Sequence, residues 1–348
     1  TSALAAAPSW AEAIDDAFRR SDRPPPMRNM ELDRAAQAAS QAGEGIDVRR
    51  LIRALGVADG LLVPVVVVSP EDRTVRRDWL GYIREHIVPQ GISHYGMFEG
   101  EDRLAVIFAR RLFHPVSIPI NPRPGSVVRI EGELAAGLAV PQIYLAGPGE
   151  RVSTVPVGLF GRYATFDVPL DEGPGSYWIE LVAQTDRGRE VVALFPITTE
   201  GAALTPVVMG RERPPKPSAR LAAERGLALL NQERERLGVA PVALDRDLTH
   251  TATVHAKTMA REGVVAHVLP GGDPPDVRLA RSGVVTDLFY ENLALAGSVE
   301  ACHEQLWASP SHRRALLDER LNAVGIGVRS VETDGGRLLY VVHHLARR

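Results

Sequence analysis

The sequence predicts an α+β protein built from several domains, on three observations. Near the start, apolar side chains recur at helical spacing, as Trp10, Ile14, Ala17 and Phe18. Over residues 114–200 the pattern changes to short β-prone runs parted by Pro and Gly. After a proline-rich stretch at 210–217 the helical spacing returns, now punctuated by His267, Glu291 and His312.

At 348 residues the chain exceeds one typical domain. The changes of pattern divide it into an N-terminal α/β domain over 1–112, a β-sandwich over 113–201, a proline-rich linker over 202–217 and a C-terminal domain over 218–348. Hydrophobic residues make up 45%, enough to fill real cores. A net charge of -3 sets aside nucleic acid as a partner, which would demand a concentrated basic face. No run of 18 apolar residues occurs, so no stretch reads as a membrane-spanning helix. The sequence starts at Thr1 without methionine, as a segment does once an export leader is removed.

Taken in order, residues 8–20 read as an amphipathic helix stopped by Pro24-Pro25-Pro26. Residues 30–42 and 48–55 read as two further helices, broken between by Gly43-Glu44-Gly45 and ended by Gly56. The valine-rich run 61–68 reads as a buried strand, 79–87 as a helix and 104–108 as a strand. In the middle stretch, 127–134, 163–168 and 177–183 alternate as strands. Turns at Asn121-Pro122, Gly147-Pro148-Gly149, Gly173-Pro174-Gly175 and Asp186-Arg187-Gly188 separate such runs, the spacing of an immunoglobulin-like sandwich. The prolines of 210–217 make a semi-rigid tether. Ser218 caps the next helix, Gly238 ends it, Asp245 or Asp247 starts another and Gly263 closes that one.

The first segment echoes the last. Leu32-Asp33-Arg34 resembles Leu244-Asp245-Arg246, and Asp47-Val48-Arg49 with Gly56-Val57 resembles Asp276-Val277-Arg278 with Gly283-Val284. Gly100 to Leu104 with Ala109-Arg110 likewise matches Gly335 to Leu339 with Ala346-Arg347. The order is kept, so the N-terminal domain reads as a degenerate copy, against the alternative of chance likeness between Arg- and Ala-rich stretches. The copy lacks a counterpart of His267, and the 65–68 region replaces Glu291-Asn292, so its use is packing or partner contact.

The chemistry concentrates at His267, Glu291 and His312. Two imidazoles and a carboxylate can hold a divalent cation such as zinc and leave a position for water or ligand. Their spacings of 24 and 21 residues are too long for a local metal motif, so only the fold can join them. The alternative is that the three merely tie loops together by hydrogen bonds. Asn292 orders backbone or touches ligand, and Ser309 lines the cleft or starts the Pro310 turn. Arg313 forms a surface salt bridge or anchors an anion. His343 and His344 lie on one strand, where alternation sends one inward and one outward, so one of them adds a nitrogen near the cleft. His250 and His255 read as packing or capping residues, and Cys302 as a buried, inert thiol that leaves no disulfide framework.

Around these residues the sequence resembles the CAP superfamily of cysteine-rich secretory, antigen 5 and pathogenesis-related-1 proteins, in its bacterial SCP-like form. The pieces that carry the resemblance occur in family order over 220–347. They are Leu230-Asn231-Gln232-Glu233-Arg234, Pro241 to Asp245, the helix with Leu248, Ala252, His255 and Met259, Val265-Ala266-His267, Glu291-Asn292-Leu293-Ala294, Ser309-Pro310-Ser311-His312-Arg313, and Val324-Gly325-Ile326-Gly327-Val328. The resemblance implies an α-β-α sandwich with a cleft lined by His267, Glu291 and His312. A second glutamate that completes a tetrad in many eukaryotic members is missing where this chain reads Trp307-Ala308-Ser309. The family's disulfides are excluded because Cys302 is the only cysteine.

The expectation is an exported bacterial protein with a binding or interaction role at the cell envelope. Its cleft takes a divalent metal (zinc or another cation) or a small ligand, with a lipid or envelope component as partner and any protein partner unidentified. Asn292, Ser309, Arg313, His343 and His344 are its ligand-binding candidates. One alternative is a metal-dependent, peptidase-like hydrolase using His267, Glu291 and His312, where the ion activates water. The missing glutamate and the absence of a serine nucleophile beside a base weigh against it. The other alternative is a non-catalytic scaffold.

Overall fold

The computed structural model describes residues 8–42, 47–202, 218–333 and 336–348. The expected break at Gly43-Glu44-Gly45, the tether at 210–217, the start at Thr1 and the match involving Gly335 lie outside the described residues. The described residues form four four-stranded sheets in three consecutive blocks.

The first block holds α1 (Trp10–Arg19), β1 (Met27–Arg28), α2 (Met30–Gln41), α3 (Val48–Ala54), β2 (Leu61–Val68), α4 (Arg73–Tyr82), β3 (His94–Glu99) and β4 (Arg103–Arg110). Local chemistry fixes the helix starts: Ser9 and Glu12 form a reciprocal capping box, while Asn29, Asp47 and Asp72 each accept from backbone amides one turn in. The expected helix over 79–87 starts earlier, at Arg73, and runs on through a π turn at Ile83–Ile87. Trp10, Ile14 and Phe18 pack with Trp79 and Phe108 on one face of the sheet, and Leu32, Ala36 and Ile52 pack on Ile107 and Ala109 on the other.

The run 61–68 is not the fully buried strand expected from its valines. It is the edge of the sheet order β1-β3-β4-β2, with Val66 and Val68 exposed. Pro64 fits there because an edge strand has amides with no ladder partner to lose.

The middle block has β5 (Phe113–Pro115), β6 (Val127–Leu134), β7 (Ala139–Ala146), β8 (Val152–Val155), β9 (Gly158–Phe160), β10 (Tyr163–Pro169), β11 (Ser176–Thr185) and β12 (Gly188–Thr198). Sheets β5-β6-β10-β9 and β12-β11-β7-β8 share one core, in which Ile130 and Phe166 meet Ile143, Ile179 and Phe195. β6 and β10 alternate as the sequence does, whereas β11 is buried along most of its length because the first and third blocks cover its outer face.

The third block contains α5 (Ala219–Arg236), β13 (Ala243–Leu244), α6 (Arg246–Glu262), α7 (Pro275–Arg281), β14 (Phe289–Ala296), α8 (Val299–Ala308), α9 (Pro310–Leu316), β15 (Ala323–Thr333) and β16 (Gly336–Ala346). Its sheet, β13-β15-β16-β14, has α6 on one face and α5 with α8 on the other, an α-β-α sandwich. Asp245, the first of the two expected starts, caps α6, and Gly263 closes it at φ 67°. Leu248, Thr251, Ala252, His255, Ala256 and Met259 form the buried stripe of α6.

That helix lies directly on β15. A Cβ at Gly325 would stand 2.1 Å from the Leu248 carbonyl carbon, so only glycine permits the approach. Gly325→Ala is expected to destabilise the protein by about 3 kcal/mol, the top of the overpacking range because backbone must move. An unchanged denaturant midpoint would refute that packing.

The first and third sheets share one topology. In both, a two-residue strand pairs parallel to the second strand of the order, and the edge strand pairs antiparallel to the third. A Cβ at Gly96 would stand 2.1 Å from the Leu32 carbonyl carbon, as one at Gly325 would from that of Leu248. Leu32 therefore occupies the position of Leu248, four residues from the Leu244 that sequence likeness offers, and the counterpart of Leu244 is Arg28. Ala109 and Ala346 occupy equivalent rungs, two residues from Ile107 and His344, whereas Leu104 falls at the position of Val341 and not of Leu339.

Candidate functional site

Three elements carry the site. The loop after α6 holds His267, and the buried His255 ring fixes it by donating from Nε2 to the Ala266 carbonyl at 2.9 Å. Burial pushes His255 down to about 4, which keeps that ring neutral. Glu291 projects from β14 toward the α6 side, opposite His344 on β16. Ser309 starts α9, where Pro310 fits the first helical position and His312 follows within the first turn.

Glu291 is the hub. Its side chain is 2% exposed, its Oε1 accepts from His267 Nδ1 at 2.8 Å, and its Oε2 accepts from His344 Nε2 at 2.9 Å and from the Arg278 guanidinium. Burial alone would raise this carboxyl. The hydrogen bonds from His267 and His344, with the fields of His267 and Arg278, outweigh it and hold Glu291 well below the usual carboxylate range. Thr251 Oγ1 lies 2.8 Å from His344 Nδ1 and fixes that ring from behind. Because the carboxylate only accepts, His267 donates from Nδ1 and keeps Nε2 without a partner among the described residues.

His267, Glu291 and His312 line one cavity of about 690 Å³. Burial, then the neighbouring His267, pushes His312 down to about 3, and its Nδ1 is buried without a partner. Among the described residues, however, no three His, Cys, Asp or Glu side chains meet as a group that could hold a metal ion. His267, Glu291 and His312 thus share the cavity without standing as such a group. Glu291 is already shared by three donors, one of them a cation, and stands behind His267.

Of the ligand-binding candidates, only Asn292 lines that cavity, and it is buried with its Nδ2 donating to the His312 carbonyl at 3.2 Å. Ser309 is buried, and its hydroxyl donates to Glu180 Oε1 at 2.5 Å. Arg313 has no salt bridge among the described residues. It is buried, donates to the Trp307 carbonyl at 2.8 Å and lies 5.1 Å from the Trp307 ring. His343 and His344 do point to opposite faces, but neither face is outward, since helices cover both and both rings are buried. His344 joins Glu291, while His343 points the other way and is pushed down to about 3 by burial and then by His303 and His312.

Several residues of the site carry no motif in the sequence. Arg278 donates to the His267 carbonyl at 2.7 Å as well as to Glu291, and the one available signal was that a carboxylate buried between imidazoles calls for a cation. The β11–β12 turn of the sandwich closes on His267: Val268 donates to the Arg187 carbonyl at 2.9 Å, and a Cβ at Gly188 would meet the His267 Cβ at 2.9 Å. Glu180 is a fully buried carboxylate reaching in from β11, and its signal was a lone acid inside the apolar run Tyr177-Trp178-Ile179-Glu180-Leu181. Burial raises its pKa, opposed by its bonds to Ser309 and Ser311. Cys302 is buried and pushed up to about 12 by burial, which makes it an inert thiol.

An α-β-α sandwich whose paired histidine and glutamate face a cleft is the architecture of the CAP proteins. The last third of this chain is a CAP domain: residues 227–344 match the model of the cysteine-rich secretory protein family. Among solved structures, the chain is similar to an outer surface protein of Borrelia burgdorferi, at 20% identity over 38% of this chain and 98% of that one, with a TM-score of 0.34. It is also similar to an extracellular protein containing a SCP domain from Bacillus anthracis, at 17% identity over 64% and 78% of the two chains, TM-score 0.35. A cysteine-rich secretory protein of Staphylococcus aureus gives 12% identity over 63% and 76%, TM-score 0.32. No curated protein matches the chain.

Proposed function

We propose that this chain is an extracytoplasmic binding protein whose CAP cleft, walled on one side by the β-sandwich, holds a small ligand or envelope component. One observation carries the reading. Glu291 is fully committed to His267, His344 and Arg278, while His267 Nε2 and His312 face a cavity of about 690 Å³, the size of a small-molecule site. A carboxylate held well below its usual range is a poor general base, which weighs against the hydrolase. The Bacillus anthracis and Borrelia proteins are described as extracellular and outer surface, and no helix among the described residues is long and apolar enough to cross a membrane.

We read the middle block as an immunoglobulin-like spacer and the first as a degenerate CAP copy, with domain limits at 1–112, 113–201 and 218–348. Pro64 stands opposite Ile107 where Glu291 stands opposite His344, so the copy has neither the carboxylate nor the ring. Its role is packing and partner contact.

A second reading follows from Glu291 accepting from His267 Nδ1. A carboxylate behind an imidazole is the usual outer support of a metal-bound histidine. His267 and His312 would then hold a zinc-like cation, which would supply Lewis acidity or an anchoring charge when bound. A panel of peptides and lipids, incubated with and without chelator and followed by calorimetry and mass spectrometry, tests both. Ligand recovered unchanged is expected. Products that vanish in His267→Ala would overturn the binding reading, and a stoichiometric zinc heat lost in His312→Ala would establish the metal.

A further inference from the structure

We infer that the sandwich wall adds an oxyanion subsite to the cleft, so that its ligand carries a carboxylate or phosphate group. This rests on the cleft being a ligand site and specifies the charge of what it takes. Four guanidiniums line the cavity. Arg110 is paired with Glu190 at 2.9 Å, and Arg187 is spent on the Gln90 and Pro89 carbonyls at 3.1 and 3.3 Å. Arg189, at the start of β12, and Arg314, on α9, have no carboxylate partner among the described residues, and both are exposed.

These two come from different blocks yet are linked through Tyr144 and Gln142. The Arg314 guanidinium lies 5.8 Å from the Tyr144 ring. The Tyr144 hydroxyl donates to Gln142 Oε1 at 2.9 Å, and the same oxygen accepts from Arg189 at 3.0 Å. Two cations without a carboxylate partner among the described residues, Arg314 against the Tyr144 ring and Arg189 on the Gln142 oxygen that Tyr144 also bonds, thus stand on the wall of the His267 cavity.

The carboxylates of the cavity do not cancel them. Glu190 is taken by Arg110, and Glu291 by His267, His344 and Arg278, which leaves Asp276 on α7 as the lining acid without a described partner. Guanidinium forks match carboxylate and phosphate oxygens. Leu112, Val182, Val191 and Phe289 line the same space and suit a carbon skeleton attached to that group.

Calorimetry on the full chain with phenyl phosphate, benzoate and uncharged benzyl alcohol tests the subsite. We expect the anions to bind at least about tenfold tighter than the alcohol, and the Arg189→Gln/Arg314→Gln double variant to lose that preference with its melting temperature unchanged. A response to phenyl phosphate alone identifies a phosphate monoester as the ligand group, and equal responses identify a carboxylate-sized anion; either supports the subsite. Anion binding that survives in the double variant, native protein that binds the alcohol equally well, or native protein that binds no anion overturns it. His267→Ala separates the two readings. If it abolishes binding of all three probes while the arginine variant behaves as native, the cleft remains a ligand site and the subsite falls; if anion binding is indifferent to both changes, both readings fall.

Discussion

Glu291→Ala is expected to remove about 3–5 kcal/mol of stability, the range for deleting one partner of a buried ion pair. The loss comes less from the contacts deleted than from the groups stranded. Arg278 would keep a guanidinium inside the fold with no counter-charge, and His344 Nε2, on a ring with no exposure, would lose its acceptor. Glu291→Gln preserves the volume but brings an amide donor to a point where three donors already converge, so it should cost nearly as much. Denaturant unfolding of the three proteins decides the matter. A shift under about 1 kcal/mol for the alanine variant, the worth of an ordinary exposed pair, would mean that Glu291 is not the hub described above.

The same substitution has a pH signature. Glu291 has a folded pKa below its unfolded value of 4.5, so its stabilisation is complete above that value and is lost as pH falls through the depressed folded value. Native protein should therefore show an acid loss below about pH 4.5 that Glu291→Ala lacks, and the two stability curves should converge toward acid. Parallel curves from pH 7 to pH 3 would contradict the assignment.

Much of this was legible in residues and much was not, for physical reasons. Helix starts at Ser218 and Asp245 could be seen because a cap is a local bond between neighbours in the chain. The meeting of His267 with Glu291 was reachable only through likeness to a family, since nothing local spans 24 residues. The valines of 61–68 misled because a continuous apolar run does not distinguish a central strand from an edge whose outer valines stay wet. Likeness at Leu-Asp-Arg is offset by four residues from the geometric correspondence, in which Gly96 approaches the helix at Leu32 as Gly325 does at Leu248. Alternation placed His343 and His344 on opposite faces correctly, but it cannot say that helices cover both faces. Arg278 and Glu180 act across elements, 13 and about 130 residues from their partners, and single-chain patterns are silent at that range.

Glu180 carries the other large expected effect. Its two oxygens accept from Ser309 Oγ and the Ser311 amide, both at 2.5 Å, so a strand of the sandwich grips the turn that presents His312. Glu180→Ala leaves the Ser311 amide without its acceptor and opens a void in a fully buried position; about 2–4 kcal/mol should be lost, and the Ser311 amide should exchange with solvent much faster. Glu180→Gln should behave oppositely, because its amide oxygen can accept from Ser311 while its NH₂ donates to the Ser309 hydroxyl. Burial raises the native carboxyl, so its contribution to stability is complete below the unfolded pKa and is lost as pH rises through the folded one. The glutamine variant, which never ionises, should gain on the native protein as pH climbs from about 4.5 to neutrality. If Glu180→Ala melts with the native protein and Ser311 exchanges no faster, the sandwich does not hold the His312 turn, and that turn is ordered by Ser309 and Pro310 alone.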